Sequence, residues 1–175
     1  MTRAPTLETP RLVLRAHRKD DYPAIAAMWA EPKVGQFILG RLSTAEESWA
    51  RLLRYAGHWS LMGFGFWAAQ EKSSGAFIGE MGFGEFHRDI DPPFGDRPEA
   101  GWALASRCHG QGYASEAMSA IMAWGDRQFG KRESVCMISP ENLASIRLAQ
   151  KFNFREAHQA TYKGDKVTVY YRSPA

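Results

Sequence analysis

Hydrophobic positions along the chain change their period several times, and those changes mark out its elements. Leu12, Val13 and Leu14 stand between Arg11 and Arg15 as a short apolar run, which predicts a first strand. Beyond it, Ala24, Ile25, Met28 and Trp29 recur at helical spacing. Asp20 and Asp21 are suited to cap that helix, and Pro32 lies just past its end. A second helix is predicted from Ser43 or Thr44, because Ser43 with Glu46 and Thr44 with Glu47 each have capping-box spacing. Trp49, Leu52, Leu53 and Tyr55 carry it to about Trp59.

The pattern then turns to strands. Phe64 to Gln70 and Gly75 to Phe86 are aromatic-rich and broken by glycines, as a meander is, with Lys72-Ser73-Ser74-Gly75 as the turn. Asp89 to Pro98 is rich in Pro, Asp and Gly and reads as a long loop. Gly101 to Ala105 is a short apolar strand, and Gly110 and Gly112 lead into a helix with Ala117, Met118, Ile121 and Met122 on one face. Val135 to Ile138 is a further strand, Pro140 to Phe152 contains a helix, and Ala157 to Tyr171 reads as a hairpin turning at Gly164-Asp165. The order predicts an α/β fold with one mixed sheet rather than an alternating doubly wound one. No repeat, low-complexity stretch or linker divides the chain, so residues 1–175 are expected to form a single domain.

Composition narrows the function. The 22 Lys and Arg against 19 Asp and Glu leave a formal charge of +3, with no basic run, which speaks against nucleic acid as a partner. The two cysteines, Cys108 and Cys136, make no disulfide framework, and no Cys/His spacing suggests a metal. The opening Met1 to Pro10 is polar, without the apolar core of a signal peptide, and no stretch has the length of a membrane span. The expectation is a cytoplasmic protein with no membrane partner.

The most informative stretch is Arg107-Cys108-His109-Gly110-Gln111-Gly112-Tyr113-Ala114-Ser115-Glu116, between a strand and an amphipathic helix. A helix N-terminus presents backbone N–H groups without intrahelical partners and the positive end of the macrodipole. A glycine-rich approach lets those groups curl around an anion, and phosphate or pyrophosphate is the natural ligand. A Walker loop would need Gly-Lys-Ser/Thr, but Gly112 is followed by Tyr113-Ala114. A dinucleotide fingerprint would need a third glycine where Ser115 stands. A plain tight turn is the alternative reading of the two glycines.

Arg107-x-x-Gly110-x-Gly112-Tyr113-Ala114 resembles the acyl-CoA pyrophosphate loop of the GNAT superfamily of N-acetyltransferases, whose pattern is Gln/Arg-x-x-Gly-x-Gly/Ala. Its surroundings agree with that resemblance. Glu99 to Leu104 looks like the splayed central strand, Pro140 to Arg147 like the segment after the next strand, and Lys151-Phe152-Asn153-Phe154 stands where Lys-Leu-Gly-Phe is usual. Thr9 to Arg15 and Phe77-Ile78-Gly79-Glu80 resemble the RimJ/RimL-like ribosomal-protein branch. The resemblance spans about residues 7 to 171 and implies a mixed, mostly antiparallel central sheet with helices on both faces, splayed at the acyl-CoA site.

The resemblance also implies roles. Acetyl-CoA is the expected co-substrate, with no metal. The loop residues Arg107, Cys108, His109, Gly110, Gln111, Gly112, Tyr113 and Ala114 would hold the pyrophosphate, mainly through backbone amides. Trp102, Ala103 and Leu104 would pair with the pantetheine arm, with the Leu104 N–H as donor to the thioester carbonyl. Asn142 would bond the pantetheine arm, and Ser145 and Lys151 would touch the thiol end or the nucleotide. Equally, Asn142 can cap its helix, Ser145 can be solvated and Lys151 can be a surface charge. Many relatives place a tyrosine acid where this chain has Ala149, and Asn153 replaces a glycine at a position that requires a left-handed residue.

The implied reaction is direct attack of a primary amine on the acetyl thioester. The amine must lose a proton, and Glu80, Glu85 and Glu99 are the carboxylates in the region, with Glu85 and Glu99 favoured as base and His87 a further candidate. Strand alternation puts Glu99 with Gly101 on one face and Ala100 with Trp102 on the other. A covalent route through Cys108 or Cys136 is disfavoured by their expected positions. The acceptor is a protein N-terminus or a small amine, and the acidic loop Asp89 to Asp96 would suit a cation if it borders the cleft. Phe37, Trp59, Phe64, Phe66 and Trp67 are core residues or the lining of an acceptor pocket. The alternative to an enzyme is a non-catalytic acyl-CoA-binding regulatory module, and the protein is expected as a monomer or homodimer.

Overall fold

Capping chemistry fixes the helical elements of the first half. Thr44 sits in extended backbone, and its hydroxyl accepts the Glu47 N–H at 3.2 Å while the Glu47 carboxylate accepts the Thr44 N–H at 2.8 Å. This starts helix α3 (Ala45–Met62), which ends at Gly63 in the left-handed conformation, a turn later than the apolar spacing predicts. Ahead of it lie α1 (Tyr22–Trp29) and a short α2 (Pro32–Gly35). Pro32 therefore opens a helix rather than only closing the previous one, because its missing N–H costs nothing at a first helical position. Asp21 precedes α1 without capping it through its side chain. Its carboxylate instead takes both arms of the Arg15 guanidinium, at 2.7 and 2.8 Å, and the Arg18 N–H at 2.7 Å.

The computed structural model describes residues 3–38 and 40–174. Met1, Thr2, Leu39 and Ala175 lie outside the described residues, and with them the start of the polar opening and the outer bounds of the expected 1–175 domain. The strands are β1 (Leu7–Glu8), β2 (Leu12–Arg15), β3 (Phe66–Glu71), β4 (Phe77–Gly84), β5 (Glu99–Leu104), β6 (Ser134–Ile138), β7 (Arg155–Tyr162) and β8 (Asp165–Arg172). They form one sheet in the order β1-β2-β3-β4-β5-β6-β8-β7. All neighbours are antiparallel except β5 and β6, which run parallel. The last hairpin turns at Lys163-Gly164, both at positive φ, one residue before the predicted place.

Helices cover both faces, as strand alternation requires. Ile25 and Met28 of α1 and Leu52 of α3 pack with Ala68, Phe77 and Ala103 on one face. Helix α4 (Tyr113–Phe129) lays Ala117, Met118, Ile121 and Met122 on the other, against Leu12, Leu14, Met81 and Phe83. Helix α5 (Leu143–Lys151) joins that face through Ala149, beside Cys136 and Ile138. It ends at Asn153 with φ 65, the left-handed position expected of it. Ile90 and Phe94 of the long loop are buried with Val135 and Val169 in a third cluster, so the loop after β4 is tied down rather than solvated. Among the described residues no helix is long and apolar enough to cross a membrane.

The Arg15–Asp21 pair gives this half of the fold a defined pH response. Burial pushes the Asp21 carboxyl up, but the hydrogen bonds from Arg15 and Arg18 outweigh it and hold the group below its ordinary value. A lowered folded pKa stabilises the fold above the unfolded value, about 3.9, and that contribution disappears as pH falls through the folded value. Asp21→Asn is expected to cost about 3 kcal/mol at pH 7, since it leaves a buried guanidinium without its anion. Urea melts of both proteins at a series of pH values should show the difference shrinking below about pH 4.

Candidate active site

A strand order with one parallel pair creates the site. β5 and β6 share a single register pair, Glu99 opposite Val135, and the Val135 N–H donates to the Pro98 carbonyl at 3.1 Å. Beyond that point the strands diverge. On its other side β5 stays fully paired with β4 from Glu99 to Leu104, and the Ala105 N–H donates to the Ile78 carbonyl at 2.9 Å. In an antiparallel ladder alternate residues bond the same neighbour. With Ala105 directed at β4, the backbone groups of Trp102 and Leu104 face the gap left by β6. Among the described residues, the Trp102 backbone groups and the Leu104 N–H have no strand partner there, while the Leu104 carbonyl is taken up by a ring nitrogen of His109, so an open strand edge lies inside the protein.

The gap opens into a cavity of about 530 Å³. Trp102, Ala103 and Leu104 line it from β5, Asn142, Ser145 and Leu148 from α5, and Cys108 to Ser115 from the glycine loop, excepting Gln111. Gly110 and Gly112 have φ of 73° and 80°. The two left-handed residues turn the chain so that the free N–H groups of the first turn of α4 open on the cavity. A phosphate-sized anion fits this chemistry, because a side chain at either glycine would strain the backbone that presents those groups.

The side chains of the loop mostly turn away and brace it. Arg107 donates to the Phe77 carbonyl at 2.8 Å, Gln111 to the Arg107 carbonyl at 2.6 Å, and a ring nitrogen of His109 lies 2.9 Å from the Leu104 carbonyl oxygen. The Tyr113 hydroxyl donates to Glu71, which pushes the phenol up, while hydrogen bonds from Ser74 and then Tyr113 hold the Glu71 carboxyl down. Lys151 donates to Ser115 at the cavity wall. Cys108 is buried, and burial raises its thiol pKa, so it remains protonated at neutral pH. Cys136 lies in the core with its thiol raised for the same reason.

On α5, Asn142 Oδ1 accepts the Ser145 N–H at 3.2 Å, so this side chain caps the helix and lines the cavity at once. The Ser145 hydroxyl accepts from the Trp102 indole N–H at 3.1 Å and bridges the two sides of the gap. Ala149, one turn further along α5, is 1% exposed and belongs to the core.

The carboxylates lie elsewhere. Glu85 and Glu99 line a second cavity of about 310 Å³ with His87, Arg88, Phe94 and Arg97, not the large one. Glu99 holds both arms of the Arg88 guanidinium, at 2.7 and 2.8 Å, and Arg88 also donates to the Tyr162 hydroxyl at 3.0 Å. Burial lowers the proton affinity of Arg88, but the Glu99 hydrogen bonds outweigh it and the net shift is upward. Among the described residues the ionic partner of the Glu85 carboxylate is exposed His87, at 3.2 Å. Its own backbone N–H donates to a ring nitrogen of His58 at 2.9 Å. Glu80 is fully buried, accepting from the Trp29 indole at 2.7 Å, with a His17 ring nitrogen at 3.1 Å.

Of the wall formed by α2 and the turn after it, sequence reasoning named only Phe37, as core or acceptor-pocket lining, and missed the rest. Lys33, Val34, Gln36, Phe37 and Ile38 line the large cavity, and Phe37 and Ile38 are exposed apolar side chains there. The apolar pair behind Gly35 was the available signal. Trp59, Phe64, Phe66 and Trp67 are core residues.

The Acetyltransferase (GNAT) domain pattern matches residues 11–155. The chain is 33% identical over 112 residues to the uncharacterised protein YkkB of Bacillus subtilis, a match covering 63% of this chain and 62% of that one. A chain from Bordetella pertussis given as a GnaT-family acetyltransferase superposes with a TM-score of 0.84 at 33% identity, covering 97% of this chain and 99% of that one. RimL, a ribosomal L7/L12 alpha-N-protein acetyltransferase in complex with coenzyme A, superposes with a TM-score of 0.77 at 19% identity over 97% and 98% of the two chains, a likeness of fold.

The loop geometry makes a direct prediction. Gly112→Ala places a Cβ on a residue at φ 80° and 3.4 Å from the Arg11 guanidinium. Calorimetric titration with coenzyme A is expected to show binding weakened about tenfold or more, with thermal stability lowered by about 1 kcal/mol. Unchanged affinity would show that the loop does not contact the anion.

Proposed function

The chain belongs to the Acetyltransferase (GNAT) domain family, and on that premise we propose that it transfers acetyl from acetyl-CoA to a primary amine by direct attack. The observation that carries this reading is the wedge between β5 and β6, with unused backbone donors on one wall and a glycine-turned helix N-terminus at its mouth. An extended pantetheine arm suits the first as an added strand, and a pyrophosphate suits the second.

Acetyl-CoA supplies an activated acetyl thioester. The residues of the chain bind it, orient it and handle the proton. The Leu104 N–H, pointing into the wedge, is the donor for the thioester oxygen as negative charge gathers there. Asn142 keeps its amide N–H groups for the arm while its oxygen caps α5. The Ser145 hydroxyl accepts from Trp102, so its own proton remains to be given to the departing sulfur. In this reading Ser145 stands in for the tyrosine absent at Ala149, one turn away on the same helix. Lys151 sits at the outer rim through Ser115, toward the nucleotide. Arg107, His109 and Tyr113 contribute backbone rather than side chains, since the latter are engaged with Phe77, Leu104 and Glu71.

Of the two favoured bases, Glu85 fits the task better. Both oxygens of Glu99 are committed to Arg88, which suits it to hold the closed end of the wedge rather than to accept a proton. Glu85 retains a carboxylate free of a fixed cation and open to water, through which the proton of the amine can pass. An α-amine, with pKa near ~8, gives up that proton more easily than a lysine side chain near ~10.4. The RimJ/RimL-like opening strand and the fold shared with RimL favour a protein N-terminus as acceptor. The second reading, a small amine, is favoured by the acidic side chains of the loop beside the smaller cavity.

Coenzyme A release from acetyl-CoA, measured against N-terminal peptides, lysine peptides, polyamines and aminoglycosides with a no-amine control, tests the proposal. Release with one class identifies the acceptor, and binding of acetyl-CoA with release by none favours a non-catalytic module. Glu85→Gln should lower kcat at least ~10-fold, with the loss largest at low pH where the amine is protonated. Cys108→Ala should retain turnover within about twofold, since a buried protonated thiol is no nucleophile. Abolished turnover in that variant would overturn direct attack.

A further inference from the structure

Glu116 is a carboxylate one turn inside α4, next to the loop that is to receive a phosphate. By charge alone it opposes an anion there. Its contacts show another use. One carboxylate oxygen accepts the Thr9 hydroxyl at 2.6 Å and the Arg11 backbone N–H at 2.7 Å, and the other accepts Arg11 Nε at 2.7 Å. Thr9 and Arg11 belong to the turn between β1 and β2, closed by the Thr9 N–H on the Leu12 carbonyl at 3.0 Å. The same Arg11 guanidinium donates through another nitrogen to the Gln111 carbonyl at 2.9 Å and lies over the Tyr113 ring at 4.3 Å. Its remaining arm reaches to within 3.4 Å of where a Cβ on Gly112 would stand.

We propose that Arg11 and Glu116 are positioning residues that clamp the Gly110–Gly112 loop in its anion-binding shape. The inference rests on the acetyl-CoA reading above. Its physical basis is the cost of the loop conformation. Gln111 stands between two left-handed glycines, and its carbonyl must point away from the cavity if the neighbouring N–H groups are to point into it. Arg11 holds that carbonyl on the outer side. A planar guanidinium can bind Gln111 and Glu116 together and still stack on Tyr113, which an ammonium group cannot. Glu116 fixes the fork and neutralises it, so the clamp adds no net charge to the site.

The charge balance makes the test sharp. Removing Glu116 removes a negative charge beside a bound phosphate, which by electrostatics strengthens binding. Loss of the clamp weakens it. Calorimetric titration of coenzyme A into wild type, Arg11→Ala, Arg11→Lys and Glu116→Ala, with a parallel NMR titration of pantetheine, separates the two. The expected result is a coenzyme A Kd raised about tenfold in both alanine variants, the scale of one lost charge-assisted hydrogen bond, with an intermediate loss in the lysine variant. Pantetheine, which carries no phosphate, should bind all four proteins alike.

Tighter coenzyme A binding in Glu116→Ala, with weaker binding in Arg11→Ala, would overturn the clamp and make Arg11 a direct phosphate contact. Equal loss for both ligands would reduce the pair to a general support of the fold. Arg11→Lys retains charge and aliphatic length, so it keeps the test open should an alanine variant fold poorly. Wild type that binds no coenzyme A would refute the acetyl-CoA reading itself, before any variant is considered.

Discussion

The single register pair between β5 and β6 is the constraint on which the site depends. A parallel pair that continued would have closed the sheet and used every backbone group of β5. By parting after Glu99 and Val135, the strands leave the Trp102 backbone groups and the Leu104 N–H without a strand partner on that side among the described residues. An unpaired strand edge is a hazard on a protein surface, because it recruits other chains. Here the same edge is held inside a cleft, between α5 and the α2 region, where it lines the large cavity.

Keeping such a gap open requires support on both sides. β5 is held by its full ladder with β4, and β6 by an antiparallel ladder with β8. At the closed end, Arg88 links Glu99 to Tyr162 of β7, so loop, central strand and terminal hairpin meet in one part-buried cluster. At the open end, the side-chain hydrogen bond across the gap among the described residues runs from the Trp102 indole to Ser145. The closed end therefore rests on a charged pair with two parallel hydrogen bonds, and the open end on a single neutral one. A charge-assisted bidentate pair is roughly twice as strong per bond, which concentrates rigidity away from the place where a ligand must enter.

The same division applies to the glycine loop. It is shaped by its own two left-handed residues, but it is held by residues from three other parts of the chain: Phe77, Glu71 and Arg11. Side chains hold the loop's Arg107 and Gln111 carbonyls, from Gln111 and Arg11 respectively. A binding surface made of backbone is precise only if its outward-facing groups are fixed, and here they are fixed by the sheet.

Much of this was legible in the chain alone. The capping box at Thr44, the left-handed Asn153, the glycines at 110 and 112 and the strand-to-helix junction are local, and local backbone preference is set by neighbouring residues. The mixed sheet followed from the order of elements, and the family resemblance from motifs whose spacing is itself local. What tertiary structure alone decided is where side chains separated in sequence meet. Glu85 and Glu99 look equivalent in the sequence, yet one is tied to Arg88 and the other is not. Phe37, which the sequence leaves open as core or pocket lining, proves with Ile38 to be cavity wall. Arg11 and Glu116, 105 residues apart, carry no joint signal in the sequence. Strand register and helix packing bring such pairs together, and both are properties of the folded sheet rather than of any segment in it.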